Sequence, residues 1–201
     1  MKSANVLVDE HRLIEQALNC LERMAEECAR QGELEQRLAH DLVAFFRIFV
    51  HDWHFPREEA YLARAMAAED GAARDDLSFH DHRRCGEHLH AMEQAAGAGA
   101  AGDRQAVDRF VAHAHAYIEV LMKHNEDEED RVYPTVERAL THERRSEAAE
   151  ALRQVESRVQ DRPRLEACVA AAHRLADRFN VSRVGEGEAG GSDGNAEPSD
   201  R

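Results

Sequence analysis

Near the start of the chain, apolar side chains recur at steps of four and three: Leu7, Ile14, Leu18, Leu21 and Ala25, with His11 standing midway between Leu7 and Ile14. That spacing is one face of a helix and fits no strand, whose faces alternate every second residue. It predicts a helix over 6–29, stopped by Gly32. The same period predicts a second helix over 33–69, with Leu42, Phe46, Val50 and Leu62 inward and Pro56 loosening one turn. A third helix is expected over 75–96 (Phe79, Cys85, Leu89, Met92), with Gly71 ahead of it as a stop. A fourth is expected over 103–133 (Phe110, Ala114, Tyr117, Leu121), the Gly-rich stretch 97–102 before it reading as a loop and Pro134 as its end or a break.

A chain with only 5% aromatic residues and four prolines suits helices better than sheets. Four long amphipathic helices with short connections predict an all-α fold, an antiparallel up-down-up-down four-helix bundle over 1–140. Residues 143–160 and 163–180 also read as helices, Pro163 at a natural helix start, and form a C-terminal extension over 141–182. The remainder, 183–201, is Gly, Ser and acidic residues with no apolar face, and is expected to be disordered.

Charge narrows the function. A net charge of −14 repels phosphates, so nucleic acid is excluded as a partner. No apolar run is long enough for a membrane span and the N-terminus lacks a signal-peptide core, so the expectation is a cytoplasmic protein. Cys20, Cys28, Cys85 and Cys168 form no CxxC pair, which argues against a disulfide framework or zinc knuckle. No nucleophile triad or phosphate-binding Gly loop is visible, so the reading leans away from an enzyme.

The unusual feature is thirteen histidines. His-x-x-x-Glu puts both side chains on one helical face, able to hold one metal centre. Composition alone gives about one or two such pairs by chance; the chain has His11/Glu15, His54/Glu58, His115/Glu119 and His124/Glu128. Position separates signal from noise. His11, His54 with Glu58, and His124 with Glu128 continue apolar stripes, where a polar group is costly unless paired or metal-bound. His115/Glu119 lies off its stripe, and Glu15 at the edge of its own. An internal repeat adds a second test: His11 to His54 spans 43 residues and His82 to His124 spans 42. In an up-down bundle all four then reach similar depth. His82 is preferred to His80, which shares a more polar face with Arg84 and His88. His113 stands about 16 Å along the axis from His124, too far for the same centre.

The expected metal set is therefore His11, His54, Glu58, His82, His124 and Glu128. Four imidazoles and two carboxylates suit two adjacent first-row ions, iron ahead of zinc or manganese, with positions left for a small ligand. Glu59 and Glu129 read as outer partners or solvated residues. Trp53, Tyr117 and Cys85 read as plain core, and the run Glu126–Asp130 as a mostly solvated face.

These residues resemble the hemerythrin-like (HHE cation-binding) family. The matching segments are Asp9-Glu10-His11-Arg12-x-Ile14, His54-x-Pro56-Arg57-Glu58-Glu59-x-Tyr61-Leu62, Asp81-His82, and His124-x-x-x-Glu128-x-x-x-Val132-Tyr133-Pro134. The resemblance spans about 5–140 and implies a non-haem di-iron centre that binds or senses O2, NO or redox state, or handles iron. It also makes an enzyme of peroxide removal or iron–sulfur repair an alternative. Two departures stand out: Phe55 replaces a second histidine found in many members, and Gly86 stands four residues after His82, where oxygen carriers have another. Both argue against a stable O2 carrier. O2, NO or peroxide is the implied ligand, and the chain is expected as a monomer or weak homodimer. A metal-independent or zinc-bound helical interaction module, with 143–180 as its working surface, is the remaining alternative.

Overall fold

The computed structural model describes residues 4–65, 78–158 and 162–184. Among these the chain is all-helical. Helix α1 (Asn5–Gln31) carries the first apolar stripe and ends at Gly32. There a left-handed φ of 76° lets the glycine N–H return to the Cys28 carbonyl at 2.8 Å. Helix α2 (Gln36–Phe45) runs without a break through a π-helical segment (Phe46–His54) into α3 (Phe55–Ala65). Helix α4 (Ser78–Ala100) is followed by α5 (Arg104–Asp127), and α5 continues through a second π-helical segment (Glu128–Val132) into α6 (Tyr133–Ala139). Helices α7 (His142–Arg158) and α8 (Arg162–Phe179) follow.

The two π segments have one local cause. Pro56 and Pro134 lack an N–H, and their rings crowd the carbonyl four residues back. In each case the residue before the proline donates five residues back instead: Phe55 N–H to the Val50 carbonyl, and Tyr133 N–H to that of Glu128. The wider turn absorbs the proline without ending the helix. Neither proline is therefore a break.

One expectation from the sequence is corrected. Helix α4 runs on through Ala100, so most of 97–102 is helical. Gly99 serves a close approach: a Cβ there would stand 3.3 Å from Val107 Cγ2 and 3.4 Å from the Val107 nitrogen of α5. The turn itself is short, and Asp103 caps α5 by accepting from the N–H groups of Gln105 and Ala106. The two helices of the extension dock at separate places. Helix α7 packs on α3, whereas α8 packs on α1 and α2. The expected ends near Gly71 and Glu69 and the residues beyond 184 lie outside the described residues; Val184 itself is tied down, its N–H reaching Gln16 Oε1 at 2.8 Å.

Buried apolar side chains form two groups. The larger joins Ile14, Leu18 and Leu21 to Phe46, Leu89, Phe110, Leu121 and, from α8, Leu175 and Phe179. The smaller joins Leu7, Tyr61, Leu62, Tyr133 and Val136 to Ala148 and Leu152 of α7. His11 lies between Leu7 of one group and Ile14 of the other, and His54 lies between Val50 and Tyr61 in the same way. A polar layer thus interrupts the core. Helix α8 is integral to the larger group: Leu175→Ala is expected to cost about 2–4 kcal/mol. That appears as a lowered denaturation midpoint of the whole chain; an unchanged midpoint would mean that α8 is an independent appendage.

Candidate metal centre

All six expected ligands lie in the polar layer. His11, His54, Glu58, His82, His124 and Glu128 are each less than a tenth exposed. Glu58, His82 and His124 come closest together, offering one ligand atom each within 4.8 Å of one another. Glu58 Oε1 is 3.4 Å from His82 Nε2, and its Oε2 is 3.4 Å from His124 Nε2 and 3.7 Å from His54 Nε2. Glu128 Oε2 is 3.5 Å from His11 Nε2 and 3.7 Å from His124 Nε2. His80 is half-exposed and beside Asp81 instead. His115 and Glu119 are exposed, and His113 pairs with His88 away from the layer.

The layer has an approximate two-fold pattern. His11 and His54 meet edge to face with ring centroids 4.9 Å apart and planes at 68°; His82 and His124 repeat this at 4.8 Å and 68°. The outer nitrogens repeat as well. His11 Nδ1 donates to Glu129 at 2.8 Å, and His82 Nδ1 to Glu59 at 3.0 Å. His54 Nδ1 donates to Glu10 at 2.9 Å, while His124 Nδ1 faces Asp81 at 4.0 Å. A carboxylate can only accept, so a hydrogen bond at Nδ1 fixes the proton there and turns the Nε2 lone pair inward.

That orientation tests the fit to a metal. His11 Nε2, His54 Nε2, Glu58 Oε1 and Glu128 Oε1 are buried without a hydrogen-bond partner. With the imidazoles neutral these inward atoms are acceptors left unsatisfied in an apolar interior, which is unfavourable, and bound cations would satisfy them. Imidazole and carboxylate together suit iron, zinc or manganese rather than calcium or magnesium. The residues fit the group.

Several partners escape a reading of spacing alone. Glu10 holds His54, accepts from Trp53 Nε1 at 2.9 Å and pairs with Arg57, whose guanidinium also lies 4.5 Å over the Trp53 ring. Tyr133 donates to Glu128 at 2.6 Å. Glu10 and Asp81 each directly precede the first histidine of a repeat, a signal present in the sequence. Tyr133 stands one π turn after Glu128, where a count of four misses it. Phe55, in the position of a missing histidine, stacks on His82 at 3.7 Å. A Cβ on Gly86, in that of the other, would face His51 Cε1 at 3.7 Å.

The arrangement defines an all-helical protein with an interior His/Glu cluster able to hold a metal cation. Residues 3–136 match the model of the Hemerythrin HHE cation binding domain, and the chain belongs to that family. No curated protein and no solved structure matches it. Among the described residues, no helix is long and apolar enough to cross a membrane.

In the metal-free protein the layer is held by protons. Burial lowers His11, but Glu128 and Glu129 outweigh it and raise it to about 9. Burial is likewise outweighed at His82, which Glu58 and Glu59 raise to about 9. Burial and the neighbouring Glu58 charge raise Glu128 to about 7. Glu58 itself, despite burial, is held well below 4.5 by His124 and His82. The two raised histidines contribute stability fully below their ordinary 6.5 and lose it as pH climbs through about 9. Glu128 acts in the same direction between 4.5 and about 7. Thermal unfolding of metal-free protein should therefore show a midpoint that falls from pH 6.5 to 9. Cation-loaded protein should lack that fall, since the metal replaces the protons. A flat profile for metal-free protein would contradict this account of the layer.

Proposed function

We propose that the chain holds two iron ions in this layer and uses them to bind or sense O2, NO or redox state. His11 and His54 would hold one ion, His82 and His124 the other, with Glu58 and Glu128 shared between them. When bound, iron supplies one-electron redox chemistry and open coordination positions for a small ligand. The chain's own residues set its surroundings. Glu10, Glu59 and Glu129 orient imidazoles through their outer nitrogens, and such outer partners raise ligand basicity. Tyr133 supplies a proton-bearing hydroxyl to one oxygen of Glu128. The flanking apolar groups keep water from the layer.

The observation that carries this reading is the doubled pattern: two imidazole pairs of matching geometry facing two shared carboxylates. One structural ion would need only half of it. The reading includes an up-down-up-down bundle over 1–140 with the extension over 141–182, in a cytoplasmic protein acting as a monomer or weak homodimer. The test is metal analysis with absorption spectra before and after air reaches reduced protein. About two irons per chain and ferric charge-transfer absorption on oxidation are expected, while His124→Ala and Glu58→Ala each retain at most one iron. A single stoichiometric change on adding peroxide, without repeated turnover, separates a sensor from a peroxide-removing enzyme. No iron, or one zinc, contradicts the proposal and leaves a helical interaction module.

A further inference from the structure

Among the described residues, the His/Glu layer is covered unequally. At one end α7 places Ala148 and Leu152 in the apolar group of Leu7, Tyr61 and Tyr133. Toward the other end the main core begins at Ile14 and Val50. Beside the His82–His124 pair, Phe55 lies flat on the His82 ring. Beside His11, between α1 and α5, there is instead a cleft of about 190 Å³. The two-fold pattern of the layer thus breaks at its surroundings: Phe55 follows His54, and Asn125 follows His124 in the equivalent place.

The cleft is lined by His11, Asn125 and four acidic residues, Glu15, Glu126, Glu129 and Asp130, with no Lys or Arg among its walls. Elsewhere on the surface, acidic residues commonly pair with arginine, as in Arg23–Glu26, Arg47–Glu93, Arg144–Glu147 and Arg153–Glu150. Glu15, Glu126 and Asp130 have no ion-pair partner among the described residues. A concave wall of unpaired carboxylates focuses a negative potential, which raises the local concentration of cations and repels anions.

Acidic walls alone would mean little. The second observation is Asn125, a lining residue that is only 7% exposed and whose Oδ1 has no hydrogen-bond partner. A buried amide oxygen left without a donor is destabilising. Asn125 lines the cleft together with His11 and the carboxylates, and an amide oxygen is a suitable neutral ligand for a cation in transit. Glu129 joins the two environments: its side chain is 40% exposed, yet it accepts from His11 Nδ1 at 2.8 Å.

We infer that this cleft is the loading route of the centre, a vestibule that collects a divalent first-row cation on oxygen donors and delivers it to the His11–His54 side. The inference rests on the two-metal reading above. The donor chemistry gives the route a direction. Carboxylate and amide oxygens hold such cations loosely, and imidazole nitrogens hold them more firmly. Magnesium and calcium, which prefer oxygen, gain nothing by moving inward. The sequence pair His11/Glu15 finds its meaning here: His11 faces the layer, and Glu15 faces the route to it.

The test measures loading rate separately from capacity, using Co²⁺ and metal-free full-length protein in a stopped-flow instrument that follows the visible cobalt bands. The variant combines Glu15→Gln, Glu126→Gln and Asp130→Asn. A control with the same charge change carries Glu143→Gln, Glu147→Gln and Glu150→Gln on α7. The cleft variant should load about tenfold more slowly and lose the salt dependence of the wild-type rate, at unchanged final stoichiometry. The control should load at nearly the wild-type rate. Equal rates in all three proteins, or equal slowing in both variants, would overturn the vestibule while leaving the two-metal reading intact. Failure of wild-type protein to take up cobalt at all would overturn both.

Discussion

Two carboxylates and four imidazoles lie where water cannot solvate them, between two apolar groups of side chains. Each group buried alone would be costly. Together they are arranged so that acceptors converge on shared space and outer nitrogens are held by Glu129, Glu10 and Glu59. The rest of the molecule follows from that constraint. Residues of α1, α4, α5 and the helix through His54 must arrive at one depth, with their inner nitrogens turned the same way. In the metal-free state protons on His11 and His82 offset part of the cost, which ties stability to pH in the direction opposite to an ordinary buried histidine.

Local chain chemistry sets the fine placement. The π segments before Pro56 and Pro134 keep their helices continuous, and their boundaries fall on the site: the first ends at His54 and the second starts at Glu128. The widened turn brings Tyr133 onto Glu128 at 2.6 Å, an interaction that regular helical spacing would not supply. The extension contributes as well. Helix α7 covers the outer apolar group, and Glu137 of α6 links it to α3 by accepting from Tyr61 at 3.0 Å and pairing with Arg145 at 3.2 Å. On the other side Gln16, buried in α1, donates to the Ala172 carbonyl of α8 at 3.3 Å.

Much of this could be read from the chain alone, for physical reasons that also mark where reading stops. Helical periodicity exposes which residues share a face, so His11, His54, His82 and His124 could be located before any geometry was known. Stop chemistry placed Gly32 at a helix end, whereas the cap that Asp103 supplies was not read from the sequence. Periodicity is silent about partners on other helices, so Gln16 and Glu137 looked like ordinary polar residues, and Glu10 and Asp81 stood out only by directly preceding a histidine. The stretch 97–102 resembled a loop throughout because close helix packing, as at Gly99, and a turn, as at Gly102, call for the same residue. Docking of α7 and α8 at separate places was illegible, since an amphipathic face does not name the surface that it covers.

The central claim is that the layer holds two cations, one on each imidazole pair, with Glu58 and Glu128 between them. Crystals of iron-loaded protein, measured at the iron absorption edge, test it directly. The account predicts two anomalous peaks about 3.5–4 Å apart, a separation usual for ions sharing carboxylates, one beside His11 and His54 and one beside His82 and His124. A single peak, or a peak outside these six residues, would contradict it.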